Sequence, residues 1–444
     1  MKPPDVTVVG GGLAGITTAL ACADAGLRVV LQEARPRLGG RTTSFTRALA
    51  DRTDIEVDTG QHVFMRCCTA YRALVQRLGG DSLVALQPRL DVPVVHPSGT
   101  TARIRRGTAP APLHLLPALA GYRLLPLSER LRLGRAALAL GLLDPADPAT
   151  DEISFGEWLS RHGQSPRAVA ALWDLITVAT LNSPASRSSL ALAATVFQIG
   201  LLTDASAGDL GWARVPLGHL HGDLALTALR EAGVEVQLGV KPSLLDFRDG
   251  AWHLDGCVTD RVVLAVPPPA AERLVPFEAE WGARLSASPI VNVHLVYDRP
   301  VLTESFFATV DSPVQWVFDR TEASGLKTGG QYLAVSISSA SEMIGRPARA
   351  IIDEIAPAVT ALFPGGNLQH AFVTREASAT FSPAPGTGKW RPGPRTRLPG
   401  LFLAGSWTAT GWPDTMEGAV RSGNSAAAAV LADTPFPART EVPV

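Results

Sequence analysis

Asp5 to Val9 is a short β-rich run. Gly10-Gly11-Gly12-Leu13-Ala14-Gly15 follows at once, and small and apolar residues then recur at helical spacing from Ile16 to Ala25, where Gly26 stops the pattern. Strand, tight turn and helix are predicted in that order. Leu27 to Gln32 reads as a second buried strand ending at Glu33. Farther on, Gly233 to Val240 reads as a strand after a short helix. Val262 to Val266 is a buried strand closed by Pro267 and Pro268, and Leu401 to Ala404 is another that runs into a loop at Gly405. Met416 opens a helix of small residues reaching about Leu431. The alternating runs Ile290–Tyr297 and Gln331–Ile337 predict strands of a second sheet.

The first unit carries chemistry. Gly10 permits the turn, Gly12 lets a pyrophosphate approach the backbone, Gly15 lets the helix pack on the strand, and Leu13 and Ala14 begin a helix whose positive end faces the phosphates. Glu33 lies about 18 residues past Gly15, close to the spacing of roughly 20 at which an acid accepts from a ribose hydroxyl. Gly39-Gly40 allows a second close backbone approach, and Arg41 offers a fork to phosphate oxygens.

At 444 residues, two domains are expected. With 46% hydrophobic and 18% charged residues, a large apolar interior is expected as well. A net charge of -1 without a basic, aromatic-laced run excludes nucleic-acid binding. Cys22, Cys67, Cys68 and Cys257 match neither a disulfide framework nor a zinc site, which points to a reducing cytoplasm. Cys67 and Cys68 read as small half-buried helix residues. His219 and His221 would share a direction on a strand, but no carboxylate or cysteine cluster joins them, so no metal is expected. The glycines of the N-terminal run identify folded protein rather than a signal peptide.

The stretch Glu33-Ala34-Arg35 through Gly39-Gly40-Arg41-Thr42 resembles the second FAD motif of the amine oxidase and phytoene desaturase superfamily. That resemblance implies a flavin held between the two ends of the chain. It implies a helix N-terminus at Met416 and Glu417 near the flavin, and an adenine contact at Val240. It also implies a ribityl or phosphate contact at Gly405-Ser406, where the family commonly has Gly-Asp. Asp58-Thr59-Gly60-Gln61-His62-Val63-Phe64-Met65, Thr180-Leu181-Asn182-Ser183-Pro184 and Gly405-Ser406-Trp407-Thr408-Ala409-Thr410-Gly411 resemble the squalene-associated FAD-dependent desaturases, the hydroxysqualene dehydroxylase family. Gly60, Gln61 and His62 are thereby implied at the cofactor. The reaction implied is replacement of the hydroxyl of hydroxysqualene by hydride from reduced flavin, giving squalene, with His62 or Asp414 as nominated proton donor. No second GxGxxG is apparent, so the electron donor is a separate, unidentified partner.

The expected fold class is α/β with an α+β second domain. A discontinuous Rossmann-like FAD-binding domain takes 1–70, 211–268 and 395–434. A mixed-sheet and helical substrate domain takes 71–210 and 269–394, and 435–444 is a flexible tail. Leucines interleaved with Arg123, Arg130, Arg132 and Arg135 over 113–143 predict amphipathic helices too interrupted to span a bilayer. They offer either peripheral contact with the inner face of the membrane, or an ordinary solvated surface on a cytoplasmic protein. Two other readings stand beside the dehydroxylase: a carotenoid-type desaturase or an amine oxidase on the same fold, the latter drawing on Lys389, Trp390 and Trp412, and a non-catalytic isoprenoid-binding protein.

Overall fold

Five short strands drawn from distant parts of the chain align in parallel, in the order Glu235–Leu238, Val29–Glu33, Val6–Val9, Val262–Leu264 and Leu401–Leu403. The computed structural model describes residues 3–276, 281–327 and 329–433; the expected tail over 435–444 lies outside the described residues. The central strands are buried along their length, which is why they read as continuous apolar runs without alternation. Helices Leu13–Asp24 and Met416–Leu431 pack on each other so tightly that a Cβ on Gly423 would lie 2.5 Å from the Ala14 carbonyl oxygen. Thr18 donates its hydroxyl to the Gly423 carbonyl across that contact. The first and last helices among the described residues are thus bound side by side.

The second sheet has seven strands, in the order Leu368–Phe381, Ala287–Tyr297, Gln331–Ile337, Trp316–Asp319, Phe306–Thr309, Asp91–Val95 and Thr101–Arg105. All neighbours are antiparallel except Phe306–Thr309 with Asp91–Val95. Alternation divides its faces. Val291, Val293 and Leu295 join Ile351, Ile355 and Val359 of helix Ala348–Leu362 in one core, while Ile290 and Asn292 face a cavity. Helices Leu116–Gly121, Leu127–Leu140, Asp174–Leu181 and Leu190–Phe197 contribute side chains to that cavity from the other side. Phe155, Trp158, Trp173 and Phe197 form an aromatic cluster among these helices, of which Trp173 and Phe197 border the cavity.

The architecture is the expected α/β fold with a mixed-sheet second part. One local reading needs correction, and another is decided between strand and helix. Cys67 and Cys68 precede helix Thr69–Arg77 instead of lying on it. His219 and His221 sit in the helical turn His219–Asp223, where a spacing of two diverges: His221 is buried and His219 pairs at the surface with Asp223. Among the described residues, no helix is long and apolar enough to cross a membrane.

Candidate cofactor and substrate cavity

The carboxyl ends of the parallel strands open into a crevice, the usual ligand position in such sheets. It is one lobe of a cavity of about 1180 Å³. Single-ligand pockets usually span roughly 300–1,000 Å³, so cofactor and substrate have room together.

Gly10, Gly12, Leu13, Ala14, Glu33, Ala34, Arg35, Gly39, Gly40, Arg41, Thr42 and Val240 all border that lobe. A Cβ on Gly15 would fall 1.9 Å from the Gly10 carbonyl oxygen, so this glycine serves the turn-to-helix packing and does not itself line the cavity. Gly12 differs. A Cβ there meets no protein atom nearer than the Gly40 Cα at 3.9 Å, so the protein tolerates it and only a ligand would not. Helix Leu13–Asp24 has no side-chain cap, leaving its first N–H groups for an anion. Glu33 accepts from Gly11 N–H at 2.7 Å and from Arg35 N–H at 2.8 Å. Each carboxylate oxygen keeps lone-pair capacity for a ribose hydroxyl. This cradle fits a dinucleotide diphosphate. Val240 borders it beside Glu33, but its N–H is given to the Glu33 carbonyl at 3.0 Å and is not free for an adenine edge. Thr42 spends its hydroxyl on the Gly39 carbonyl at 2.9 Å.

The C-terminal segment closes the same lobe with Gly405, Ser406, Asp414, Met416 and Glu417. Ser406, at the position where the superfamily has an acid, donates to Asp414 Oδ1. Asp414 Oδ2 accepts from Phe381 N–H at 2.8 Å and faces Arg41 at 3.5 Å. Three donors thus converge on the Asp414 carboxyl at the cavity border. Ser406, Asp414 and Arg41 together put a hydroxyl, a carboxyl and a guanidinium where the superfamily commonly has one aspartate. The buried Glu417 carboxylate accepts from Ala70 and Tyr71 N–H, capping helix Thr69–Arg77, and pairs with Arg421 at 2.7 Å. Its side chain is therefore structural, and the helix offers the cavity its N-terminal backbone.

Gly60, Gln61 and His62 lie on the cavity wall. Gln61 Nε2 is buried without a partner. His62 Nδ1 meets the Gly60 carbonyl at 3.0 Å, which leaves Nε2 of the neutral ring as an acceptor. Burial holds its pKa below the ordinary imidazole value, which favours the neutral ring, so His62 delivers a proton only after taking one up.

Arg391 and Asn292 escaped the sequence reading, and Asn182 entered it only as a member of a motif. Buried Arg391, whose pKa burial pushes down to about 10, donates to the carbonyls of Ser406 at 3.0 Å, Thr408 at 2.6 Å and Trp412 at 2.7 Å, stitching the closing loop together. Asn182, in the left-handed conformation at φ 54°, ties the roof to the sheet: its amide donates to Ser288 O and Thr380 Oγ1 and accepts from Ser339 N–H. Asn292 borders the cavity from strand Ala287–Tyr297, second from one edge of the sheet. No periodicity marks any of these partnerships. Lys389, the residue of the amine oxidase reading, pairs with Glu152 at the surface.

The other lobe is walled by apolar side chains, among them Leu119, Leu133, Leu175, Ile176, Val196 and Phe197. It is continuous with the cradle.

A model of flavin-containing amine oxidoreductases matches residues 13–431. The chain is 30% identical to a hydroxysqualene dehydroxylase of Rhodopseudomonas palustris, over 96% of this chain and 98% of that protein. It is 26% identical to a chloroplastic/chromoplastic zeta-carotene desaturase of Zea mays, over 95% and 82%. Its fold resembles that of cyclohexylamine oxidase from Brevibacterium oxydans, with a TM-score of 0.71 at 18% identity, covering 97% and 99% of the two chains.

Proposed function

We propose, from the premise that this chain belongs to the flavin-containing amine oxidoreductases and among them to the hydroxysqualene dehydroxylase family, that it removes the hydroxyl of hydroxysqualene to give squalene. It is a FAD-dependent oxidoreductase. The observation that carries the finer reading is the single cavity in which a dinucleotide cradle runs without a break into a long apolar lobe. FAD, when bound in its reduced form, supplies the hydride.

The protein's residues do the rest. Gly12, Gly40, Arg41 and the uncapped helix N-terminus hold the diphosphate, Glu33 the ribose, and the loop stitched by Arg391 closes over the cofactor. The apolar lobe keeps water from the allylic carbon once its C–O bond weakens. The departing oxygen needs a proton, and His62 on the cavity wall carries it. Because burial holds its pKa below the ordinary imidazole value, the rate rises as pH falls below about 6.5, where the protonated fraction of His62 grows. Reducing equivalents come from a separate donor.

Substrate entry belongs to the same proposal. Leu127, Leu131 and Leu138 are 65%, 67% and 60% exposed on one face of helix Leu127–Leu140, and Leu133, Gly134 and Ala137 of that helix border the cavity. A helix that meets solvent with leucines and the cavity with its other face suits peripheral contact with a bilayer that dissolves the substrate.

The test is anaerobic. The flavin is reduced, hydroxysqualene is added, and reoxidation is followed with squalene by mass spectrometry. Stoichiometric squalene supports the dehydroxylase; unchanged alcohol beside reduced flavin removes it and favours the desaturase reading that the carotene relatives suggest.

A further inference from the structure

Asn292 lies at the middle of strand Ala287–Tyr297, fully buried at the border of the cavity. Both its amide nitrogen and its amide oxygen lack a hydrogen-bond partner. Ser336 stands directly opposite on one neighbouring strand and Thr374 on the other, yet Thr374 is engaged with His294 Nε2 at 2.9 Å. A buried amide with neither half satisfied is costly, and folded proteins keep one chiefly where something else completes it.

We infer that Asn292 is the polar anchor of the substrate lobe and recognises a neutral hydroxyl on an otherwise apolar isoprenoid. The chemistry of the two orphaned atoms selects the class. A hydroxyl both donates and accepts, so it meets Oδ1 and Nδ2 together. An ammonium meets only Oδ1, and a carboxylate only Nδ2. A hydrocarbon meets neither and leaves the whole desolvation cost in place. This rests on reading the apolar lobe as an isoprenoid site, and it separates an alcohol substrate from the polyene of a desaturase. Asn292 acts here as a specificity residue: it contacts the oxygen that leaves.

The full-length, FAD-loaded protein is titrated with farnesol, farnesene and farnesylamine, which share one chain, and binding is read from the visible flavin band. Farnesol should bind at least about 10-fold more tightly than farnesene, and Asn292→Leu, of similar volume, should bring the two within about 3-fold of each other. Asn292→Ala provides a second variant, and FAD content reports the fold of both. A wild type without preference for farnesol, or variants that keep it, overturns the inference and leaves Asn292 satisfied by water alone. Turnover of hydroxysqualene is scored separately. Squalene formation with an Asn292-independent preference removes this site but not the dehydroxylase; a farnesol preference that Asn292 controls, without squalene formation, does the reverse.

Discussion

The Asp58 carboxylate meets the Arg320 guanidinium at 2.7 Å in the protein interior, with side chains only 5% and 10% exposed. Asp58 Oδ1 also accepts from the Ser44 hydroxyl and from Leu217 N–H, and Arg320 donates to the Ala213 carbonyl. The pair joins the hairpin of Ser44–Ala48 and Asp54–Asp58, next to the cofactor lobe, to a segment that follows strand Trp316–Asp319 of the large sheet. Removing one partner strands the other charge, so Arg320→Ala should cost roughly 3–5 kcal/mol. Asp58→Leu combined with Arg320→Leu should cost less than the sum of the two single changes. A double-mutant cycle by denaturant unfolding checks the coupling.

Gly12 and Gly15 should separate binding from folding. Gly12→Ala adds a Cβ that only the diphosphate would meet, so the protein should fold as before and lose FAD on gel filtration. Gly15→Ala drives a Cβ into the Gly10 carbonyl and should lower the melting temperature even of apoprotein. Equal FAD retention by wild type and Gly12→Ala would contradict the placement of the cradle.

Asn182 combines a left-handed backbone with three amide contacts. Asn182→Gly keeps the backbone freedom and removes the contacts, and should destabilise by about 2–3 kcal/mol, the cost of stranding buried partners. Asn182→Ala should cost about 1 kcal/mol more, since a Cβ disfavours that conformation without the compensating side-chain bonds. Thermal and denaturant midpoints order the two.

Stability should fall on acidification. His221, between Tyr71 OH and the Thr42 carbonyl, is held down to about 4, and His294, between Tyr332 and Thr374, to about 3, both by burial. The unfolded chain takes up these protons near 6.5 and the folded chain does not, so the folded state loses ground as pH drops from 6.5 toward 4. Each histidine contributes about 1.4 kcal/mol per pH unit in that window. Unfolding midpoints between pH 7.5 and 4.5 measure the slope, which His294→Gln should reduce.

What the sequence displayed was local. The glycine turn, Glu33 and the helix opening at Met416 lie within short windows whose periodicity and spacing survive folding, and each falls close to where the pattern put it. The partnerships Asp58–Arg320, Ser406–Asp414 and Arg391 with the loop after Gly405 join residues brought together by tertiary packing or by a turn without a motif. His219 and His221 diverge because side-chain direction at a spacing of two depends on whether the backbone is a strand or a helix. Asn292 was hidden for a plainer reason: an asparagine in a strand looks like a solvent-facing position until the opposite face is seen to carry the core.

The adjacency of helices Leu13–Asp24 and Met416–Leu431, and the pairing of Val262–Leu264 with Leu401–Leu403, make the cradle a clasp whose two halves lie far apart in sequence. A fragment that stops before residue 401 carries the glycine fingerprint but neither the edge strand nor the closing helix, so it should recognise the cofactor without retaining it.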